Sequence, residues 1–234
     1  MARDVVVLAY NFPHRKTQDF LFRLHVEGFR VAGVVAADAV ELGIPPAAVR
    51  TKVRHGGLVH PKAVAARLGM PYGVAAHDGD EAARLLKASG AEVGVIAGAR
   101  ILPKRIIDLV PKGIVNFHPG LIPEARGLDA MLWSVRAGLP LGVTAHLVDE
   151  RVDAGRVLVR HRIPVHPDDT AFDLSERLYE TQLDLLRPAV EAALDGKGET
   201  VPKGSSYNRK MPPEMERETV AMVPEYCRSH AWKG

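Results

Sequence analysis

The sequence predicts a doubly wound, mostly parallel α/β sheet, and three observations carry that prediction. Asp4-Val5-Val6-Val7-Leu8-Ala9-Tyr10 is a continuous apolar, β-branched run bounded by polar residues, the pattern of a strand buried on both faces. An amphipathic stretch from Thr17 to Glu27 and a second apolar run from Phe29 to Ala37 follow directly. Strand, helix and strand in that order specify a right-handed crossover between parallel neighbours. Further apolar runs then alternate with helical stretches along the chain. With 234 residues there is room for one large domain, 1–198, and a short C-terminal appendage, 199–234.

The elements are justified in order. Phe20, Leu21, Leu24 and Val26 form the expected sheet-facing stripe of the first helix. From Glu41 to Leu58 the chain is irregular, with Pro45, Pro46, Gly56 and Gly57, and reads as a long surface excursion over the substrate side. A short helix over Pro61 to Leu68, an edge strand over Met70 to Ala75 and a helix over Asp80 to Ser89 come next. The apolar run Glu92 to Ala99 is another buried strand, and a short helix from Lys104 to Leu109 leads to a strand over Gly113 to His118. Gly127 to Ala137 predicts a helix, and Gly142 to Asp149 and Arg156 to Pro164 predict two strands. Asp168-Asp169-Thr170 is an N-cap cluster for one long helix to about Leu194, stopped by Asp195-Gly196. A last strand within Val201 to Arg209 and a polar terminal helix in Pro212 to Ala231 complete the set.

Composition excludes several classes. At 47% hydrophobic and 25% charged residues the chain is an ordinary soluble protein. No apolar run approaches the roughly 20 residues of a membrane span. Met1-Ala2-Arg3-Asp4 has no signal-peptide anatomy, so cytoplasmic residence is expected and a membrane partner is not. Cys227 is the single cysteine, which rules out an intrachain disulfide and argues against a thiolate metal site. A net charge of +3 is too small to indicate nucleic-acid binding. Basic residues do crowd Arg50-Thr51-Lys52-Val53-Arg54-His55 and the segment Lys203 to Lys210. Each could hold a phosphorylated substrate or be a solvated loop. The first strand-to-helix turn, Ala9-Tyr10-Asn11-Phe12-Pro13-His14, contains no glycine. A dinucleotide fingerprint needs several there for backbone approach to phosphate, so hydride transfer is disfavoured.

The polar constellation lies at the end of the strand Gly113-Ile114-Val115-Asn116-Phe117-His118. Asn116 and His118 are two residues apart, share a strand face and sit at the C-terminal end, where open α/β sheets bind their ligands. An amide can donate to a developing oxyanion, and an imidazole can move a proton near neutral pH. A carboxylate beside the imidazole would hold it charged and oriented, with Asp149 and Asp153 as candidates. The same residues with His146 also admit a two-histidine, one-carboxylate metal set. Singly, each has a plain structural reading, as a core histidine, a backbone-capping Asn or a turn Asp.

Taken together, the segment resembles the formyltransferase family that uses 10-formyltetrahydrofolate, which includes glycinamide ribonucleotide transformylase, methionyl-tRNA formyltransferase and the sugar N-formyltransferases. The resemblance rests on Asn116-Phe117-His118-Pro119-Gly120-Leu121-Ile122-Pro123, Arg126-Gly127, Trp133, Gly142 to Glu150 and Asp153-Ala154-Gly155-Arg156-Val157-Leu158. Ala97-Gly98-Ala99-Arg100-Ile101-Leu102-Pro103 resembles the family's pterin-gripping loop. The resemblance covers about Glu92 to Pro164 and implies a Rossmann-like formyltransferase fold. It also implies catalytic roles for Asn116, His118 and Asp153, with Asp153 rather than Asp149 as the carboxylate. Folate contacts are implied at Arg100, Ile101 and Leu102 and in the loop that begins at Asp149. The family's turn usually reads His-Pro-Ser, so Gly120 removes a hydroxyl from the mouth of the site.

The implied activity is N-formyl transfer from 10-formyltetrahydrofolate, as cosubstrate and without a metal, to the amine of a small acceptor. A nucleotide-linked amino sugar is the expected acceptor, and Asn11 and Arg126 are its expected contacts. The first turn departs from the glycine-serine-rich phosphate loop of glycinamide ribonucleotide transformylase. Little chain follows the last long helix for the RNA-binding domain of methionyl-tRNA formyltransferase, so a nucleic-acid partner is not expected. Those two acceptors, and a folate-binding relative without catalysis, stand as alternatives. The family's frequent dimers imply a homodimer.

Overall fold

A computed structural model describes residues 4–41, 43–99, 101–149, 155–200 and 207–232. Strand β1 (Asp4–Tyr10) is fully buried from Val5 to Ala9, and helix α1 (Arg15–Val26) returns the chain to β2 (Arg30–Ala37), which pairs with β1 in parallel. The buried arc of α1 is Thr17, Phe20, Leu21 and Leu24, the i, i+3, i+4, i+7 set of one helix face. Val26, expected on that stripe, falls off the arc and is 64% exposed. His14 caps the helix by accepting the Thr17 backbone N–H at its Nδ1. Burial, then repulsion from Lys16 and Lys52, pulls the His14 pKa down to about 4, so the ring is neutral and can accept.

Beyond β2 the excursion has neither helix nor strand among its described residues. Helix α2 (Pro61–Arg67), strand β3 (Tyr72–Val74), helix α3 (Asp80–Ser89), strand β4 (Val93–Ile96), helix α4 (Lys104–Ile107) and strand β5 (Ile114–His118) follow. A two-residue strand β6 (Arg126–Gly127) precedes helix α5 (Ala130–Ala137), then β7 (Gly142–Leu147), β8 (Val157–Arg162), α6 (Ala171–Asp184) and α7 (Leu186–Leu194). Strand β9 (Tyr207–Asn208) and helix α8 (Pro213–His230) close the described chain.

The helix expected to run unbroken to Leu194 divides at Leu185. Pro188 has no N–H to give the Asp184 carbonyl, and its ring crowds that oxygen, so α6 stops at Asp184 and α7 starts at Leu186. The helix expected from Gly127 starts later because Arg126 and Gly127 pair in parallel with Tyr207 and Asn208.

The seven strands of the main sheet stand in the order β3-β2-β1-β4-β5-β7-β8. The first five are mutually parallel, whereas β7 runs antiparallel to β5 and β8 antiparallel to β7. Strand parity divides the core. Val5, Val7, Ala9, Val95, Val115 and Phe117 face the layer that includes α1, α5, α6 and α7, while Val6, Leu8 and Ile114 face α3 and α4. Helix α8 belongs to the first layer: Val223, Tyr226 and Cys227 are buried in the same cluster as Phe20 and Leu174. The strand order reverses between β1 and β4, and such reversal points open crevices at the C-terminal strand ends.

Candidate active site

Strand β5 delivers the polar pair to that end of the sheet. Alternation sends Val115 and Phe117 into the α1 layer and leaves Asn116 and His118 on the other parity, opposite His146 and Thr144 of β7. His146 is 2% exposed, and its Nδ1 lies 3.1 Å from the Leu147 carbonyl oxygen. A carbonyl can only accept, so Nδ1 bears a hydrogen, and in that neutral tautomer Nε2 is an acceptor. Asn116 Nδ2 donates to that Nε2 across 3.3 Å. The bond fixes which end of the amide is nitrogen and leaves a second N–H for the cavity that Asn116 lines.

His118 is 5% exposed, and its Nε2 donates to the Ala125 carbonyl oxygen across 2.6 Å. Nε2 is therefore protonated, and the ring's basicity resides at Nδ1. The turn that supplies this carbonyl is clamped by Thr144, whose hydroxyl donates to Gly120 O at 2.8 Å and accepts from Ile122 N at 3.0 Å. Gly120 is required by close approach. A Cβ there would lie 2.5 Å from Ala125 O and 2.7 Å from His118 Nε2.

Asn116 and His118 open on a cavity of about 560 Å³, walled by the start of α1, Thr51, Lys52, Val53 and His55 of the excursion, Leu128 to Leu132 and one side of α6. Lys16 projects into it half-buried, its Nζ 3.3 Å from the Phe117 carbonyl oxygen and 5.0 Å from the centre of the Phe20 ring. Arg15 lies 2.7 Å from Glu176 and stacks on Tyr179 at 3.9 Å. Among the described residues, no group of three His, Cys, Asp or Glu gathers as a metal site would need.

A family model described as formyl transferase matches residues 43–190, more than half of the chain. The chain belongs to the formyl transferase family. A methionyl-tRNA formyltransferase of Desulfotalea psychrophila is 40% identical over 103 residues, which are 44% of this chain and 32% of that protein. The chain thus spans about a third to a half of the length of such relatives. In structure it is similar to a phosphoribosylglycinamide formyltransferase from Anaplasma phagocytophilum (TM-score 0.65, 20% identity, 90% of this chain and 100% of that one). A sugar N-formyltransferase from a Shewanella species is similar too (TM-score 0.61, 18% identity, 94% and 87%).

Of the residues expected to act, Asn116 and His118 lie two apart on β5, and Asp153 and Arg100 lie outside the described residues. Gly155, just beyond Asp153, crosses the end of β7 so closely that a Cβ would lie 1.6 Å from Leu147 O. Asp149 is half-buried two residues past β7. Ile101 is 77% exposed at the rim of a second cavity, of about 190 Å³, whereas the neighbouring Leu102 is buried against α4. Asn11 does not line the larger cavity: its amide donates to Asp38 at 2.7 Å and accepts the Tyr72 hydroxyl at 2.7 Å. Arg126 lies in β6, also outside that lining.

Two features of the site leave no mark in the sequence. Lys16 is one charge among several at a helix start, with no local mark that it turns inward. The pairing of His146 with Asn116 depends on the antiparallel register of β5 and β7, which a period-two pattern does not reveal.

Proposed function

We propose that this formyl transferase moves the formyl group of 10-formyltetrahydrofolate to the amine of a small acceptor, with an amino sugar, free or nucleotide-linked, as the acceptor class. The observation that carries the reading is the pairing of an oriented amide, Asn116 held by His146, with a near-buried imidazole, His118, at one strand end. The adjoining cavity, about 560 Å³, has the size of a small-molecule pocket.

The folate donor supplies an electrophilic formyl carbon and a leaving nitrogen. Asn116 gives its second N–H to the negative charge that develops on the formyl oxygen. His118, protonated at Nδ1 as well as Nε2, adds a positive charge to the same region. We assign Asp153 the part of keeping that ring charged. The bond from the acceptor nitrogen to the formyl carbon forms, the bond to the folate nitrogen breaks, and one proton passes from the first nitrogen to the second. We assign folate contacts to Arg100, Ile101, Leu102 and Asp149. The donor set is suited to acyl transfer, in which aimed amide and imidazole donors are among the largest contributions.

A second reading, methionyl-tRNA as acceptor, is favoured by the 40% identity to a methionyl-tRNA formyltransferase. Incubation with 10-formyltetrahydrofolate and, separately, free amino sugars, nucleotide-linked amino sugars, glycinamide ribonucleotide and methionyl-tRNA decides between them. Mass gain of one formyl group on an amino sugar supports the proposal. Gain on glycinamide ribonucleotide or methionyl-tRNA alone overturns the acceptor class, and no tetrahydrofolate release with any of them overturns the transfer.

A further inference from the structure

We propose that the cavity beside Asn116 and His118 holds a phosphate group of the acceptor between Lys16 of α1 and Lys52 of the excursion. That the phosphate belongs to the formyl acceptor rests on the reading above; the anion site itself does not.

The charges around the cavity do not balance. Arg15 is matched by Glu176 at 2.7 Å and Asp19 at 3.5 Å, and Asp129 is matched by Lys210 at 2.9 Å. Lys16 has no carboxylate within ion-pair distance among the described residues, and its hydrogen bond goes to a neutral backbone carbonyl. Lys52 lines the same cavity, and its charge repels that of Lys16. Burial and then that repulsion bring the Lys16 pKa down to about 7. Two like charges converging on a partly apolar hollow oppose folding unless something offsets them, and an anion supplies the offset.

Lys52 is carried there by an anchored segment. Buried Glu216 of α8 accepts the backbone N–H groups of Ala48 at 3.0 Å and Val49 at 3.3 Å. The Arg50 guanidinium stacks on Phe172 of α6 at 4.6 Å, and Gln18 accepts Val59 N at 2.9 Å. The excursion is therefore pinned on both sides of Lys52, at Ala48 to Arg50 and at Val59, over the mouth of the site.

The backbone offers no substitute. The turn after β1 is Asn11-Phe12-Pro13-His14, without glycine and with one residue lacking an N–H, so it cannot cradle an anion as a glycine-rich turn does. Positive side chains must supply the recognition. Two ammonium groups suit the clustered charge of a phosphate better than the separated single charges of a dicarboxylate, and the neutral His14 adds none.

Calorimetric titration of the full chain with inorganic pyrophosphate, and separately with succinate, tests the site without any formyl chemistry. Pyrophosphate should bind more tightly than succinate. Lys16→Gln and Lys52→Gln should each weaken it about 10- to 100-fold, the scale of a charge-assisted hydrogen bond. Lys104→Gln, on α4 across the sheet, should leave it unchanged. Should Lys16→Gln fail to fold, Lys52→Gln, at an exposed position, carries the test alone. Absence of pyrophosphate binding, equal binding of succinate, or undiminished binding in the Lys52 variant overturns the proposal. A chain that binds pyrophosphate through these lysines yet releases no tetrahydrofolate refutes the transfer reading instead. If the chain formylates an amine but does not bind pyrophosphate, the subsite alone is refuted.

Discussion

His118 Nε2 and the Ala125 carbonyl oxygen stand 2.6 Å apart, a contact that exists because residue 120 has no side chain. The backbone of the turn thereby fixes the orientation of the imidazole and the position of its proton. Gly120→Ser restores the residue usual in the family this chain resembles, but its Cβ would press on both partners of the bond. Formyl transfer should fall about 100-fold, the scale of a misplacement of order 1 Å at a catalytic group. The pH profile should move as well, because the ring loses its fixed acceptor. Unchanged kcat and pH profile in Gly120→Ser would mean that the Ala125 contact is incidental.

On the mechanism proposed above, His146 acts through Asn116, which it holds across 3.3 Å. Removing its acceptor nitrogen in His146→Leu should free the amide to rotate and lower kcat about tenfold with KM little changed, the signature of an interaction needed in the transition state. In the Asn116→Ala background the same substitution should have no further effect on kcat. Additive losses would show that His146 works by another route.

Asp169 predicts how stability depends on pH. Burial alone would raise its carboxyl pKa, but the Arg177 guanidinium, at 2.6 Å, and the His166 backbone N–H outweigh burial and hold it below the ordinary carboxylate range. A carboxyl depressed in the folded state adds stability above its unfolded pKa, and that stability is lost as pH falls through the folded value. Asp169→Asn should cost about 3 kcal/mol at neutral pH, the low end for a broken buried pair because Arg177 stays partly exposed. The gap to the parent protein should narrow below about pH 4. Denaturant melts at neutral and acid pH check this, and a gap independent of pH would contradict it.

Lys16 gives the opposite sign for binding. The titratable and charged groups that line the same cavity are Lys52 and His55 from the excursion, Asp129 before α5, Glu176 and Tyr179 from α6, His118 from β5, and His14 and Arg15 at its own helix start. With its pKa near 7, an anion that requires the charged form should bind well in mild acid and weaken as pH rises through that value. The loss should approach tenfold per pH unit for one linked proton. Sulfate is the suitable probe because its own charge does not change over this range. Sulfate affinity that stays level from about pH 6 to about pH 8.5 would count against Lys16 as the titrating group.

Much of this was legible in the residues, for physical reasons. Val5-Val6-Val7 announces a strand because β-branched side chains favour extended backbone and an unbroken apolar run fits burial on both faces, and the helix expected over Asp80 to Ser89 keeps those ends in the structure. Strand direction was hidden: Gly142 to Leu147 reads equally well in either sense, so its antiparallel pairing with β5, and with it the bond between His146 and Asn116, emerged only in three dimensions. Val26 misled because it is apolar but off the buried arc, while polar Thr17 takes the place inside, its hydroxyl reaching Ala97 O at 3.4 Å. Asn116 and His118 were visible as a pair two apart, whereas Lys16 depends on an excursion from elsewhere in the chain, and no local pattern announces such a meeting.

The central claim is that Asn116 and His118 carry formyl transfer. Its most direct test is single-turnover release of tetrahydrofolate from 10-formyltetrahydrofolate, in the presence of the accepted amine, by the parent protein and by Asn116→Ala and His118→Ala. The account predicts release by the parent and a loss of roughly 100- to 1000-fold in each variant, the cost of one oxyanion donor, with cooperative unfolding retained. Near-parental turnover in a folded His118→Ala protein would contradict it.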